Sequence, residues 1–295
     1  MQLPSIKTHA SSRGSLSLER AMLWADIEDV RSAPAPGLRA SCPICSRTVI
    51  AKCGAQRVHH WSHLGERTCD RWWEPETQWH RTWKLRFPAA WHERILHDVS
   101  GEKHIADVRT PAGIVIEFQH SHLRAEERTT RELFYRDMIW VVDGTRLQRD
   151  LPRFIAGARE LRRMGSGVFI HSFPNELFPK SWLGCAAPVF FDFGEPTDSA
   201  AAALVHERIW CLLPQSGREA VVLRMTRETF INMAQENSAA LLFTPLRVQA
   251  EQKLAAQRAR ERQDYLRVLA AMMQPRSGRQ PRPQWRPMRR RRRTF

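Results

Sequence analysis

The sequence predicts an α/β fold preceded by a small module rich in cysteine and histidine. Three observations carry that expectation. Four of the six cysteines crowd between Cys42 and Cys69, together with His59, His60 and His63. From there to Asp143-Gly144, helix-like and strand-like stretches alternate. Two further apolar runs, Pro188-Val-Phe-Phe-Asp-Phe-Gly194 and Ile209-Trp-Cys-Leu-Leu213, read as strands.

With 295 residues, 42% hydrophobic and 26% charged, the chain can bury a sizeable core in one large domain or two smaller ones. Its 46 Lys and Arg against 31 Asp and Glu give a net charge of +15. That excess favours a polyanionic partner, because each phosphate contact releases condensed counterions. No run approaches the ~20 apolar residues of a membrane helix, and the N-terminus lacks the apolar stretch of a signal peptide. No membrane and a cytoplasmic location are expected, and in a reducing compartment clustered cysteines point to metal, not disulfides. The expected organisation is an N-terminal segment (1–40), a zinc-binding module (41–70), a core (71–150), a C-terminal domain (151–244), a charged helix (245–274) and a disordered Arg-rich tail (275–295).

Residues 1–40 are weakly patterned and contain a breaker cluster, Ser32-Ala-Pro-Ala-Pro-Gly37. Cys42-Pro-Ile-Cys45 places two thiolates on one tight turn, the usual first half of a tetrahedral zinc site. His60-Trp-Ser-His63 supplies a second half, with Cys69 in reserve and a short hairpin around Val49-Ile50 between the pairs. The choice among His59, His60, His63 and Cys69 stays open. Such a module is too small to fold on apolar burial alone, so Zn²⁺ would be structural.

Pro75-Glu-Thr-Gln-Trp-His-Arg-Thr-Trp-Lys84 is helical by pattern and stopped by Pro88. Glu76, His80 and Lys84 recur every four residues and share a face, while Trp79, Trp83 and Phe87 form a neighbouring apolar stripe. Lys103-His-Ile-Ala-Asp-Val-Arg109 and Ile114-Val-Ile-Glu-Phe-Gln-His120 form two strands joined by a Thr-Pro-Ala-Gly turn. In the second, Ile114, Ile116 and Phe118 point one way, and Val115, Glu117 and Gln119 the other. An acid inside such an apolar strand is expensive unless its charge is met, and a divalent cation shared with Asp107 would meet it. Hard oxygen ligands favour Mg²⁺ or Mn²⁺.

Residues 123–137 read as a helix in which Arg124, Arg128, Arg131 and Tyr135 recur at three- or four-residue steps. Arg131 and Tyr135 would contact phosphate or form a solvated face. Ile139-Trp-Val-Val142 reads as a buried strand closing the sheet, and residues 151–165 as a helix ending at a glycine. Asp192 reads as structural or turn-forming. Residues 245–273 read as one long charged helix, and the tail holds nine arginines, four prolines and no acid.

Cys42-x-x-Cys45, His60-Trp-Ser-His63, Glu76-x₃-His80-x₃-Lys84, Ala106-Asp107-Val108 and Ile116-Glu-Phe-Gln-His-Ser121 resemble the competence protein CoiA family. Arg131-x₃-Tyr135 and Ile139-Trp-Val-Val142 are similar to it as well. The resemblance covers roughly residues 40–145. It implies a restriction-endonuclease-like mixed sheet flanked by helices, of the PD-(D/E)xK nuclease type, behind a zinc-finger-like module. It also implies a metal-dependent deoxyribonuclease that processes single- or double-stranded DNA, alongside recombination or DNA-uptake proteins. On that scheme Asp107 and Glu117 hold Mg²⁺ or Mn²⁺, Gln119 ends the E-x-K element, Glu76 is the helix acid, and His80, Arg131 and Tyr135 touch nucleic acid. Gln119 stands where the wider superfamily commonly has lysine. Glutamine brings no positive charge, and Lys84, on the row of Glu76, would supply the missing ammonium. A nuclease fold that binds DNA without cutting it is the alternative.

Overall fold

Two sheets organise the chain in the computed structural model, which describes residues 22–55, 59–65, 70, 72, 77–195, 199–215, 219–236 and 239–273. The first sheet is built from short antiparallel strands: β1 (Ala25–Ile27), β2 (Val30–Ser32), β3 (Arg39–Ser41), β4 (Thr48–Lys52) and β5 (His60–His63), in the order β2-β1-β3-β4-β5. Met22, Ala25, Ala40, Cys42, Val49 and Trp61 form its small core. The module therefore starts within residues 1–40: β1 pairs with β3, and Met22 bridges Trp61.

The second part runs α1 (Gln78–Lys84), β6 (His92–His97), β7 (Lys103–Arg109), β8 (Val115–Gln119), α2 (Ala125–Tyr135) and β9 (Met138–Asp143). It continues through α3 (Asp150–Gly157), β10 (Arg162–Gly165), β11 (Val168–His171), α4 (Pro174–Leu177), β12 (Val189–Asp192), α5 (Ser199–Val205), β13 (Arg208–Leu212), β14 (Ala220–Thr226) and α6 (Arg227–Gln235). All nine strands join one mixed sheet, β10-β11-β14-β13-β12-β9-β8-β7-β6. Among the paired strands only β8–β9 and β9–β12 are parallel, the first joined through α2 and the second through the long segment that holds α3, β10, β11 and α4. β8, β9 and β12 are buried on both faces, as parallel strands under helices must be.

One face carries a core with Val115, Trp140, Val142, Phe191 and Trp210, covered by Tyr135 of α2, Phe154 of α3 and Leu177 of α4. The other carries Val108, Ile116, Phe118, Val141 and Phe190, covered by Trp83 of α1 and Phe230 of α6. The alternation expected for residues 114–119 holds, because Ile116 and Phe118 join one core and Val115 the other.

Three expectations need correction. β9 does not close the sheet, because β12 pairs along its other edge. Residues 151–165 are not one helix: α3 ends at Gly157, where a Cβ would sit 2.9 Å from the Glu176 carbonyl oxygen, and Arg162–Gly165 becomes an edge strand. Residues 151–244 share a sheet with the strands before them. α7 (Ala239–Met273) runs from the first compact unit, which ends at Ala250, into a second, Glu251–Phe295. The Arg-rich tail lies outside the described residues. Among those described, no helix is long and apolar enough to cross a membrane.

Candidate functional site

The β7–β8 ladder pairs Arg109 with Val115 and Val108 with Ile116, and its next step would oppose Asp107 to Glu117. There the side chains replace the ladder. The Asp107 N–H donates to Glu117 Oε1 (3.1 Å), and the Phe118 N–H donates to Asp107 Oδ2 (3.0 Å). Both carboxylates thus enter the opening between the strands.

Each is met from a different helix. α1 is started by Thr77, whose hydroxyl accepts the His80 N–H, and is pinned by Trp79 and Trp83, whose indole N–H groups donate to Asp192 Oδ2 (3.1 and 2.8 Å). Its other row then faces β7. His80 Nε2 lies 3.0 Å and Lys84 Nζ 3.7 Å from Asp107 Oδ1, and Lys84 Nζ lies 3.0 Å from Glu93 Oε1. From α2, Arg131 reaches Glu117 Oε2 (3.2 Å), Glu127 Oε1 (2.6 Å) and the Trp72 carbonyl (2.6 Å).

Burial alone would raise the Asp107 pKa, but His80 and Lys84 outweigh it and hold this carboxyl well below its ordinary range. Burial, and then the neighbouring Asp107 charge, push Glu117 up to about 8 against the opposing pull of Arg131. Two acids side by side, one ionised and one reluctant, are a donor set that a divalent cation suits.

The other predicted residues divide. Gln119 is buried, and its amide donates to the carbonyl and hydroxyl of Ser121 (3.3 Å each). Lys84 is 4% exposed and so is no solvated face. Arg131 is equally buried, and Tyr135 is packed in the core, where burial raises its phenol pKa; neither presents a solvated face. Glu76 lies outside the described residues.

Glu93 gave no sequence signal. It has φ +45° on an edge strand and accepts the Leu23 and Trp24 N–H groups, while Arg31 donates to the adjacent His92 carbonyl (2.6 Å). The five-stranded module thereby reaches Lys84 through one carboxylate. His120, in the Ile116–Ser121 motif, places its Nδ1 2.7 Å from buried Asp143.

In the module, the ligand atoms of Cys42, Cys45 and His63 lie within 4.8 Å of one another, with Cys45 Sγ 3.3 Å from His63 Nε2. Two thiolates and an imidazole suit zinc. His60 does not join them, since residues three apart on a strand point to opposite faces. Cys69 lies outside the described residues.

No known protein family, curated protein or solved structure matches the chain. The functional reading therefore rests on these residues and on the motif resemblance.

Proposed function

We propose that the chain is a metal-dependent nuclease that hydrolyses DNA phosphodiester bonds at Asp107 and Glu117, in DNA processing, recombination or transformation. The observation that carries this reading is the opened ladder, where two carboxylates meet beside a buried lysine. A Mg²⁺ or Mn²⁺ ion held there by Asp107 and Glu117 would polarise the phosphodiester and lower the pKa of a bound water. Asp107 is kept ionised by His80 and Lys84, ready to act as a hard oxygen ligand. The Lys84 ammonium, beside Asp107, takes the part that Gln119 cannot, namely stabilising negative charge that develops on the phosphate. The net charge of +15 supports DNA as the partner, and the mixed sheet flanked by helices suits the restriction-endonuclease-like reading.

Two contacts favour a second reading, a DNA-binding accessory factor that does not cut. Arg131 already occupies Glu117 Oε2, and Gln119 is turned to Ser121. Labelled single- and double-stranded DNA incubated with the protein and Mn²⁺ separates the two. Products that disappear in Glu117→Ala and fall at least ~100-fold in Lys84→Ala are expected. Tight, salt-sensitive binding without products would leave only the accessory role. Cleavage unaffected by Lys84→Ala, though abolished by Asp107→Ala, would remove the lysine's role.

A further inference from the structure

Far along the sheet from Asp107, three arginines gather with no carboxylate to meet them. Arg224 of β14 is the cross-strand partner of Trp210, and Arg208 of β13 is the partner of Thr226, so the two arginines are diagonal neighbours on one face. Arg163 of β10 is paired with Phe169, itself paired with Val222, and so joins that face from the other side. The Arg224 guanidinium lies over Phe169 (5.3 Å) and Trp210 (5.6 Å). Arg163 and Arg208 are exposed, Arg224 is half-buried, and among the described residues none of the three forms an ion pair. By contrast, the adjacent Arg162 pairs with Glu219 at 2.7 Å. Burial and then repulsion from Arg208 and Arg163 lower the Arg224 pKa, so the cluster is held at a cost.

The register also fixes where the cluster lies. Gln119, Val142, Phe191, Trp210 and Arg224 are successive cross-strand partners, so Arg224 is in the same row and on the same face as Gln119. Four strand spacings separate them, about 19 Å. The residues between them, Val142, Phe191 and Trp210, are buried under the helices of that face, so the cluster is a surface apart from the cleft.

We propose that Arg163, Arg208 and Arg224 form a second, non-catalytic site that binds the phosphodiester backbone of nucleic acid, about 19 Å along the sheet from the Asp107–Glu117 cleft. The inference rests on the nucleic-acid reading above and adds a separate anchoring patch for the backbone. Phosphate oxygens supply the counter-charge that the protein withholds, and Arg224, propped on two rings, is pre-oriented to receive them. The cluster reads no sequence; it sets register and adds affinity.

The test is equilibrium binding of the full chain to a labelled DNA duplex of random sequence across a salt series. Arg163→Gln/Arg208→Gln removes two exposed charges and leaves Arg224 on its aromatic floor. Its slope of log K against log salt should be shallower by about 2, with affinity weaker by at least ~10-fold near 0.1 M salt. Arg136→Gln, an exposed arginine at the far end of α2, controls for net charge and should change affinity less than ~3-fold. A double variant matching the wild-type slope and affinity overturns the inference but leaves the nuclease reading standing. Wild-type protein that binds no DNA overturns both. Cleavage lost in Glu117→Ala with the salt slope unchanged would show the two sites to be separate, as proposed.

Discussion

Glu117 holds its proton into the neutral range because burial and the Asp107 charge both oppose ionisation. This has a thermodynamic consequence with a definite sign. The folded-state pKa, about 8, lies above the ordinary value of 4.5, so between those values the folded chain binds a proton that the unfolded chain has lost. Stability from this group is fully present below the ordinary value and drains away as pH rises through about 8. Asp107 behaves oppositely: its pKa is depressed, so its contribution is lost only as pH falls below the ordinary carboxylate range. In metal-free protein the melting temperature should therefore fall between pH 5 and pH 8.5, and fall less in Glu117→Gln. Parallel melting curves for the two proteins across that range would show that Glu117 ionises normally. A cation held by both acids would pull the proton off, so added Mn²⁺ should flatten the wild-type profile.

At the level of elements, the site depends on α1 being held against the sheet, and Asp192 at the end of β12 does much of the holding. One oxygen accepts from Trp79 and Trp83; the other accepts from Arg227 Nε and NH2 (3.0 and 2.6 Å) and the Gly194 N–H. Asp192→Ala leaves the indole N–H groups of buried Trp83 and half-buried Trp79 without their acceptor and strips the half-buried Arg227 guanidinium of one of its two carboxylates. A loss of about 3 kcal/mol is expected in denaturant unfolding, with cleavage reduced because His80 and Lys84 move with the helix. A loss below ~1 kcal/mol would mean that packing alone seats α1. The sequence showed part of this arrangement. The β7–β8 hairpin was legible because strict alternation and a Thr-Pro-Ala-Gly turn are local signals, and Gly113 does take φ +90° in that turn. The aromatic stripe of α1 was legible for the same reason. β10 was not, since Arg162–Gly165 has a helix-like composition and becomes a strand only through its pairing with β11. The sequence marks Asp192 as structural or turn-forming, and it does cap Gly194, but its indole partners lie more than a hundred residues earlier in the chain.

On the scale of the whole molecule, the zinc-type module and the cleft are joined through Glu93, a connection between residues about seventy positions apart that no local pattern could announce. His63 but not His60 joins Cys42 and Cys45 for a related reason: spacing alone left the ligand choice open, and the strand conformation of residues 60–63 decides it. Among the described residues the module's core holds six buried hydrophobic side chains, so its folding should lean on the metal. Purified chain is expected to carry about one zinc. Chelation, or Cys42→Ser, should cost at least ~2 kcal/mol, about 4–8 °C in melting temperature. The loss should spread in a definite order. Amide protons of β3, β4 and β5 exchange first, and the Leu23 and Trp24 N–H groups then release Glu93. Lys84, freed from its 3.0 Å partner, would shift toward Asp107, so DNA cleavage should decline in step with module opening and recover when zinc is restored. Glu93→Gln should reproduce the cleavage loss with zinc still bound, because it removes the charge that holds the ammonium while keeping one side-chain oxygen to accept the Leu23 and Trp24 N–H groups. Zinc-stripped protein that cut DNA at the full rate would show the module to be a passenger, independent of the site it touches.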